Sequence, residues 1–304
     1  MYKPFHVYEL IIIGAGPAGI TSAVYAARNK MDFIVITTDI GGQVTLSSEV
    51  ENYTGFQYIT GEDLSQKFQQ HLEKFKFDLR MEEAQKVDLD DGLLKVETDT
   101  SSYKSRTVIV ATGRKPRELK VPGESELKYR GVTYCATCDG PLFEGRDVVV
   151  VGGGNSGLEA VLQLINIAKS VYLIELEPLL KADKVLIDKA IMSDKVKVMT
   201  GTRVVEIIGD KVVTSIKVQK DGLEELLPVQ GVFVEIGSIP NSDRIDIVKK
   251  NSFDEIIVNC VCETNVSGLF AAGDVTNVPT KQIVVAAGEG CKAALSAFRY
   301  IHQK

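Results

Sequence analysis

Leu10-Ile11-Ile12-Ile13-Gly14-Ala15-Gly16-Pro17-Ala18-Gly19 decides the fold class. Four consecutive aliphatic residues suit a strand buried on both faces of a parallel sheet. The run ends in G-x-G-x-x-G and leads into Ala18 to Arg28, a small-residue stretch of helical character. Strand, glycine turn and helix in that order let backbone N–H groups and a helix N-terminus approach a pyrophosphate, where a side chain would block them. A tight turn that binds nothing has the same local pattern, so this stretch alone leaves both readings open.

The pattern recurs. Asp147 to Val151 runs into Gly152-Gly153-Gly154-Asn155-Ser156-Gly157 and a helical stretch to Ile167, and Gly14 and Gly152 lie 138 residues apart. Two such turns in one chain suggest two dinucleotides. Further aliphatic runs at Phe33 to Thr37, Thr107 to Ala111, Ser170 to Glu175, Val232 to Ile236 and Gly268 to Ala272 alternate with helical segments such as Gly61 to Lys74. The alternation predicts an α/β protein. Lys86 to Thr98 and Val204 to Gln219 alternate apolar and polar residues around Asp91-Gly92 and Gly209-Asp210, which predicts antiparallel meanders. Proline-bearing stretches, Lys115 to Pro122 and Gly237 to Asn241, bracket the second copy. The expected architecture is therefore two Rossmann-like, three-layer ββα nucleotide-binding domains, the second inserted in the first. Residues 1–114 and 242–304 would form one domain and residues 115–241 the other. The 304-residue length, about twice the prior for one domain, agrees.

Composition narrows the function classes. With 44% hydrophobic and 25% charged residues the chain is of ordinary globular type. Lys plus Arg 35 against Asp plus Glu 41 gives a net charge of −6, and no basic cluster exceeds Arg114-Lys115-Pro116-Arg117. Such a surface offers little to nucleic acid or anionic lipid. No segment reaches the roughly 20 apolar residues that span a bilayer, and Met1 to Glu9 lacks the layout of a secretory leader. The reading is cytoplasmic. Five cysteines do not resemble a secreted disulfide framework.

The residues downstream of each turn tell the two apart, because ribose hydroxyls meet an acid about 20 residues on. After the first turn that place holds Thr37-Thr38-Asp39, so the acid is missing or displaced. After the second, Val171-Tyr172-Leu173-Ile174 ends in Glu175. A carboxylate there can accept hydrogen bonds from a 2′-OH and would repel a 2′-phosphate, and Leu176-Glu177-Pro178 supplies no arginine fork. The second site therefore favours NADH over NADPH. The alternative is a surface glutamate that merely ends a strand.

Cys135-Ala136-Thr137-Cys138-Asp139-Gly140 lies between the turns. A C-x-x-C beside dinucleotide patterns can close a small disulfide and exchange it. A zinc site is the weaker alternative, because Cys260, Cys262, Cys291, His6, His71 and His302 do not form a partner motif. Cys291, among Gly290, Ala293 and Ala294, reads as a buried inert thiol. Asp139 can move a proton at the pair or can be a turn or N-cap residue.

These residues carry a resemblance. Together with the two turns, Gly41-Gly42-Gln43, Glu51-Asn52-Tyr53, Ala111-Thr112-Gly113, Gly237 to Asn241, Ala272-Gly273-Asp274 and Lys281-Gln282-Ile283 before Gly288-Glu289-Gly290 are similar to the low-molecular-weight thioredoxin reductases and the flavoprotein subunit of alkyl hydroperoxide reductase. The resemblance covers nearly the whole chain. It implies FAD on the discontinuous first domain, with Gly14, Gly16, Pro17, Ala18 and Gly19 at its pyrophosphate. Asp274, beside Gly273, would meet the ribityl chain or a phosphate-bound water. Gly42, Gln43, Asn52, Ala111, Thr112, Gly113, Gln282 and Ile283 would surround the flavin. Gly152, Gly154, Asn155, Ser156, Gly157 and Glu175 would hold the nicotinamide nucleotide.

The resemblance also implies a route for electrons, from NADH to FAD and then to a Cys135–Cys138 disulfide. Cys138 would face the flavin, Cys135 would attack the partner's disulfide and Asp139 would handle a proton, with the second domain rotating between the two tasks. NADPH-dependent thioredoxin reductases carry His-Arg-Arg-x-x-x-Arg where this chain has Glu175-Leu176-Glu177-Pro178-Leu179-Leu180-Lys181. There the chain is more similar to the NADH-dependent peroxide-reductase flavoprotein. That flavoprotein has an additional N-terminal redox domain, whereas Gly14 here stands close to Met1. The expectation is electron delivery to a separate thioredoxin-like or glutaredoxin-like protein by a homodimer, in redox homeostasis. A ferredoxin donor, an NADH oxidase, a peroxiredoxin-linked disulfide reductase and a non-catalytic flavin sensor are the alternatives.

Overall fold

The computed structural model describes residues 6–46, 50 and 52–302; Glu51 and the side chain of Cys138 lie outside the described residues. The chain divides into two compact units, Met1–Lys115 with Ile239–Lys304, and Pro116–Ser238. The first begins with β1 (Val7–Ala15), α1 (Pro17–Arg28), β2 (Phe33–Ile40), α2 (Gly61–Leu72), β3 (Asp78–Met81), β4 (Ala84–Asp90), β5 (Leu93–Thr98) and β6 (Ser102–Val110). β1 lies parallel between β2 and β6, with Ile11 opposite both Ile34 and Val108. β3 extends the sheet beyond β2, and β4 and β5 join β6 in an antiparallel meander.

The uninterrupted apolar run of β1 has a direct cause. Leu10 and Ile12 pack on one face with α1 residues, and Ile11 and Ile13 on the other with Val87, Leu94 and Val96 of the meander. Burial contributes roughly 1.5–3 kcal/mol for each such side chain. Asp91 and Gly92, at φ 50° and 78°, form the turn between β4 and β5. α2 starts at Thr60, whose hydroxyl oxygen accepts from the Asp63 N–H at 3.1 Å, and it ends at Leu72 rather than Lys74.

After β7 (Arg114–Pro116) the second unit contains β8 (Val132–Thr133), α3 (Ala136–Asp139), β9 (Asp147–Val151), α4 (Asn155–Leu164), β10 (Ser170–Glu175), α5 (Lys184–Ile191) and β11 (Val196–Thr200). Then come β12 (Thr202–Gly209), β13 (Val213–Lys220), β14 (Leu223–Pro228) and β15 (Gly231–Val234). The parallel sheet runs β11-β10-β9-β15-β8. Its Val149, Val151 and Val232 pack on the β12-β13-β14 meander, and its Val148, Val150 and Phe233 pack on the helices. The layering of the first unit is thus repeated, as the α/β reading with two Rossmann-like ββα domains requires. The third meander strand, β14, comes after Asp221-Gly222 at φ 50° and 82°, a turn signal beyond the meander expected from sequence.

The chain returns through β16 (Ser238–Pro240), which pairs with β7, and β17 (Leu269–Ala271), parallel to β6. It finishes in α6 (Ile283–His302). α6 packs on α1 so closely that a Cβ on Gly290 would stand 2.1 Å from the Ala18 carbonyl oxygen. The Ser22 hydroxyl joins the two helices, lying 2.8 Å from the Ala18 carbonyl oxygen and 3.0 Å from that of Gly290. Among the described residues, no helix is long and apolar enough to cross a membrane.

Candidate functional site

The first glycine turn lies at the carboxyl end of β1. Gly14 has φ 101°, and a Cβ there would sit 2.4 Å from the Ala111 carbonyl oxygen. A Cβ on Gly19 would sit 1.8 Å from the Gly14 carbonyl oxygen, so both glycines are required by packing inside the chain. Gly16 differs: its φ is −77° and its nearest neighbour would be the Gly41 oxygen at 4.0 Å. Among the described residues nothing demands glycine there, whereas close approach of a ligand to the helix end would. Gly16 is the N-cap of α1, Pro17 opens the helix, and no side chain caps it.

The second turn repeats this geometry. Gly152 has φ 127° and would meet the Glu235 carbonyl oxygen at 2.4 Å, and Gly157 would meet the Gly152 oxygen at 1.8 Å. Gly154, the N-cap of α4 at φ −88°, has nothing within 4 Å of its Cβ direction. Glu175 is not a free surface carboxylate. It is half-buried, accepting from the N–H of Gly153 at 2.6 Å and from that of Glu177 at 2.8 Å. Asn155 pairs with Asp183, accepting from its N–H at 2.8 Å and donating to its carboxylate at 3.1 Å. Ser156 is exposed in the first turn of α4.

Cys135 is disulfide-bonded, and Cys260, Cys262 and Cys291 are free. Cys135 precedes the single turn of α3, and its N–H donates to the Thr133 hydroxyl at 3.3 Å. That hydroxyl donates to the Asp139 carboxylate. Asp139 stands at the N-cap of the 3-10 turn Gly140–Phe143 but makes no capping bond with its side chain. The Thr137 hydroxyl reaches Gln163 on α4 at 3.1 Å, fixing the redox segment to the helix that begins at the second turn.

Sequence reasoning misses Glu235, the acid just beyond β15. Its side chain accepts from the Ala136 N–H at 3.4 Å. Burial pushes its carboxyl up to about 7; the Ala136 N–H works against this and the Glu159 charge adds to it. The available signal is a lone charge directly after Gly231-Val232-Phe233-Val234.

In the first unit the structure joins residues far apart in sequence. The Asn52 side chain donates to Gln282 at 3.2 Å, and Gln43 donates to the Arg114 carbonyl oxygen. Gly42 approaches the first turn, its Cβ direction 3.3 Å from the Gly16 Cα. Gly273 faces Ala18 in the same way at 3.0 Å. Thr112 and Gly113 are held by Asn241, whose side chain donates to the Thr112 carbonyl oxygen at 2.8 Å and whose N–H donates to that of Gly113 at 3.0 Å. Ile283 opens α6 and packs on Val44, Val50, Ile59 and Leu64.

Burial raises the Asp274 carboxyl against the charges of Lys281 and Arg114. Both cations pair with Glu255, at 3.0 Å and 3.4 Å. Burial alone would raise Glu255, but hydrogen bonds from Asn251 and Lys281 and the two positive charges outweigh it and hold it low. The expectation for Cys291 is corrected: it is half-buried, and its thiol is hydrogen-bonded to Tyr25. Cys262 is the fully buried free thiol, pushed up to about 12 by burial and by Glu289.

Comparison with known proteins gives three findings. Residues 8–290 match the pyridine nucleotide-disulphide oxidoreductase family. The chain is 41% identical over 303 residues to an alkyl hydroperoxide reductase subunit of Escherichia coli K12, and 40% identical over 299 residues to an NADH dehydrogenase of Ferdinandcohnia aciditolerans. Each alignment takes 97% of this chain but only 58% and 57% of the relative, so the chain spans less than two thirds of these curated relatives. Among solved structures, thioredoxin reductase from Streptococcus pyogenes MGAS5005 is similar at TM-score 0.86 and 36% identity, covering 98% of this chain and 99% of that one.

Proposed function

The chain belongs to the pyridine nucleotide-disulphide oxidoreductases, and from that premise we propose that it is an FAD-dependent disulfide reductase that draws electrons from NADH and passes them to a thioredoxin-like protein. One observation carries the reading: the unit that holds the disulfide at Cys135 also holds an open glycine turn, and Glu235 touches both. A chain that only stored a disulfide would have no use for that turn.

FAD, when bound, supplies the two-electron relay between a nicotinamide hydride and a disulfide. The protein's own groups do the rest. Gly16 and the first turn of α1 present N–H groups and the positive end of a helix to the FAD pyrophosphate, and Gly154 with α4 does the same for the nucleotide. Asp274 accepts from the ribityl chain or from a water on the phosphate. The Asn52–Gln282 pair, Gln43 and Ile283 would border the flavin. Glu175 accepts from ribose hydroxyls and repels a 2′-phosphate, which supports NADH as the donor. Cys135 pairs with Cys138 and exchanges with the partner's disulfide, and Asp139, oriented by Thr133, takes or gives the proton.

The test is transfer to a protein disulfide. Cys138→Ser is expected to retain flavin and nucleotide binding while reduction of a thioredoxin by NADH falls to background. A variant that still reduced thioredoxin at the wild-type rate would overturn the reading and favour direct transfer from flavin to an acceptor. Light scattering tests the homodimer.

A further inference from the structure

Glu235 does more than border the redox segment. Its N–H donates to the Val151 carbonyl oxygen at 2.8 Å, and its own carbonyl oxygen packs where Gly152 has no side chain, so its backbone is fixed by the nucleotide turn. Its side chain reaches the other way, to the N–H of Ala136, the residue after Cys135 that opens α3. The charged group that acts on it is Glu159 from α4, the redox segment meets it through the Ala136 N–H, and the Gly152–Gly154 turn meets its backbone. Asp139 is engaged by Thr133, and the Glu159 charge is of like sign. No cation answers the Glu235 carboxylate among the described residues, so an incoming proton is its natural counter-charge.

Resting on the disulfide-reductase reading above, we propose that Glu235 is a positioning residue for the Cys135 couple: its carboxylate holds the Ala136 N–H while the disulfide is closed and takes up a proton when the disulfide opens. Opening breaks one S–S bond with two electrons, supplied in the proposed cycle by the flavin and in the test below by a dithiol reagent. One sulfur keeps the electron pair of the broken bond and the other takes the two added electrons. One proton ends on one sulfur as a thiol and the other on Glu235, which leaves the second sulfur a thiolate. Total charge is conserved, with one anion before the step and one after, so the segment never holds a thiolate and the Glu235 carboxylate together. The titration of the group near neutrality fits this role.

The experiment equilibrates the full chain anaerobically in dithiol–disulfide buffers from about pH 6 to about pH 9, and reads the reduced fraction by alkylation of the peptide carrying Cys135 and Cys138. Relative to Glu235→Gln, the wild type is expected to show one further proton per reduction above neutrality. That is an additional tenfold change in the equilibrium constant per pH unit, about 30 mV. Glu159→Gln, which removes the like charge, should keep this extra dependence and start it at lower pH, an effect a merely structural glutamate would not give. The same pH dependence in wild type and Glu235→Gln overturns the proposal. Because a dithiol drives the titration, the slope is decided whether or not the protein turns over with NADH, and NADH turnover reports separately on the reductase reading.

Discussion

Ala15 and Gly153 occupy the same place in the two glycine turns, yet the N–H of Ala15 donates to the Thr37 hydroxyl at 3.2 Å and that of Gly153 to the Glu175 carboxylate at 2.6 Å. Both acceptors stand 23 residues after the first glycine of their turn. The backbone around them is nearly the same, with Cβ approaches of 2.4 Å at Gly14 and Gly152 and 1.8 Å at Gly19 and Gly157. The residue whose carbonyl oxygen packs on that first glycine is Ala111 in one copy and Glu235 in the other. One scaffold is thus used twice, and charge placed at two equivalent positions makes the second copy different. Asp39, the acid that follows Thr37 in the first copy, accepts from the N–H of Gly42 at 3.0 Å.

The largest effect should come from breaking what the turns share. Gly157→Ala pushes a Cβ into the Gly152 carbonyl oxygen, which backbone cannot yield easily, and should destabilise by about 3 kcal/mol or more. Gly19→Ala should do the same to the first unit. Gly154→Ala, by contrast, should leave thermal unfolding within about 0.5 kcal/mol of wild type while weakening NADH binding measured by calorimetry. Equal unfolding temperatures for Gly154→Ala and Gly157→Ala would contradict the division between packing glycines and ligand-facing ones.

Next comes the position that holds Ala111 in the first copy. The Glu235 carboxyl sits at about 7 in the folded chain against an ordinary 4.5, so the native state binds the extra proton between those values. The associated stability is full below the lower value and lost as pH rises through the upper one. Glu235→Gln should therefore gain on the order of 2 kcal/mol relative to wild type between about pH 5 and pH 8, read from denaturant midpoints. A constant offset at all pH values would show that burial does not perturb this group.

A smaller effect separates Thr37 from Glu175. Glu175→Gln should raise the kcat/KM for NADPH relative to NADH by about tenfold, since one like charge near a 2′-phosphate is removed at a partly exposed position. Thr37→Val should leave that ratio unchanged and lower stability by about 1 kcal/mol through the lost acceptor for the Ala15 N–H.

The scaffold is legible because it is written locally. A four-residue aliphatic strand, a glycine turn and a small-residue helix are each specified within about ten residues, and the same signals mark both copies. The meander turns Asp91-Gly92 and Asp221-Gly222 have the positive φ their residue types favour, although only the first is expected from the pattern around it. The long helix α6 escapes sequence reasoning because its apolar face is built from Ala286, Ala293, Ala294 and Ala297 beside Gly290, which carry meaning only against α1. Glu235 escapes it for a related reason. Its role depends on the Ala136 N–H, 99 residues earlier, and no spacing rule reaches that far. Cys291 is less buried than expected because burial of a thiol depends on tertiary packing, not on small neighbours in sequence.

The most direct measurement is an anaerobic titration of the flavin-loaded protein with NADH and, separately, NADPH, following the absorbance of the oxidised flavin. The account predicts bleaching by stoichiometric NADH with NADPH slow or silent, because Glu175 closes the second turn. Bleaching by neither nucleotide while dithionite still reduces the flavin, or equal bleaching by both, would contradict it.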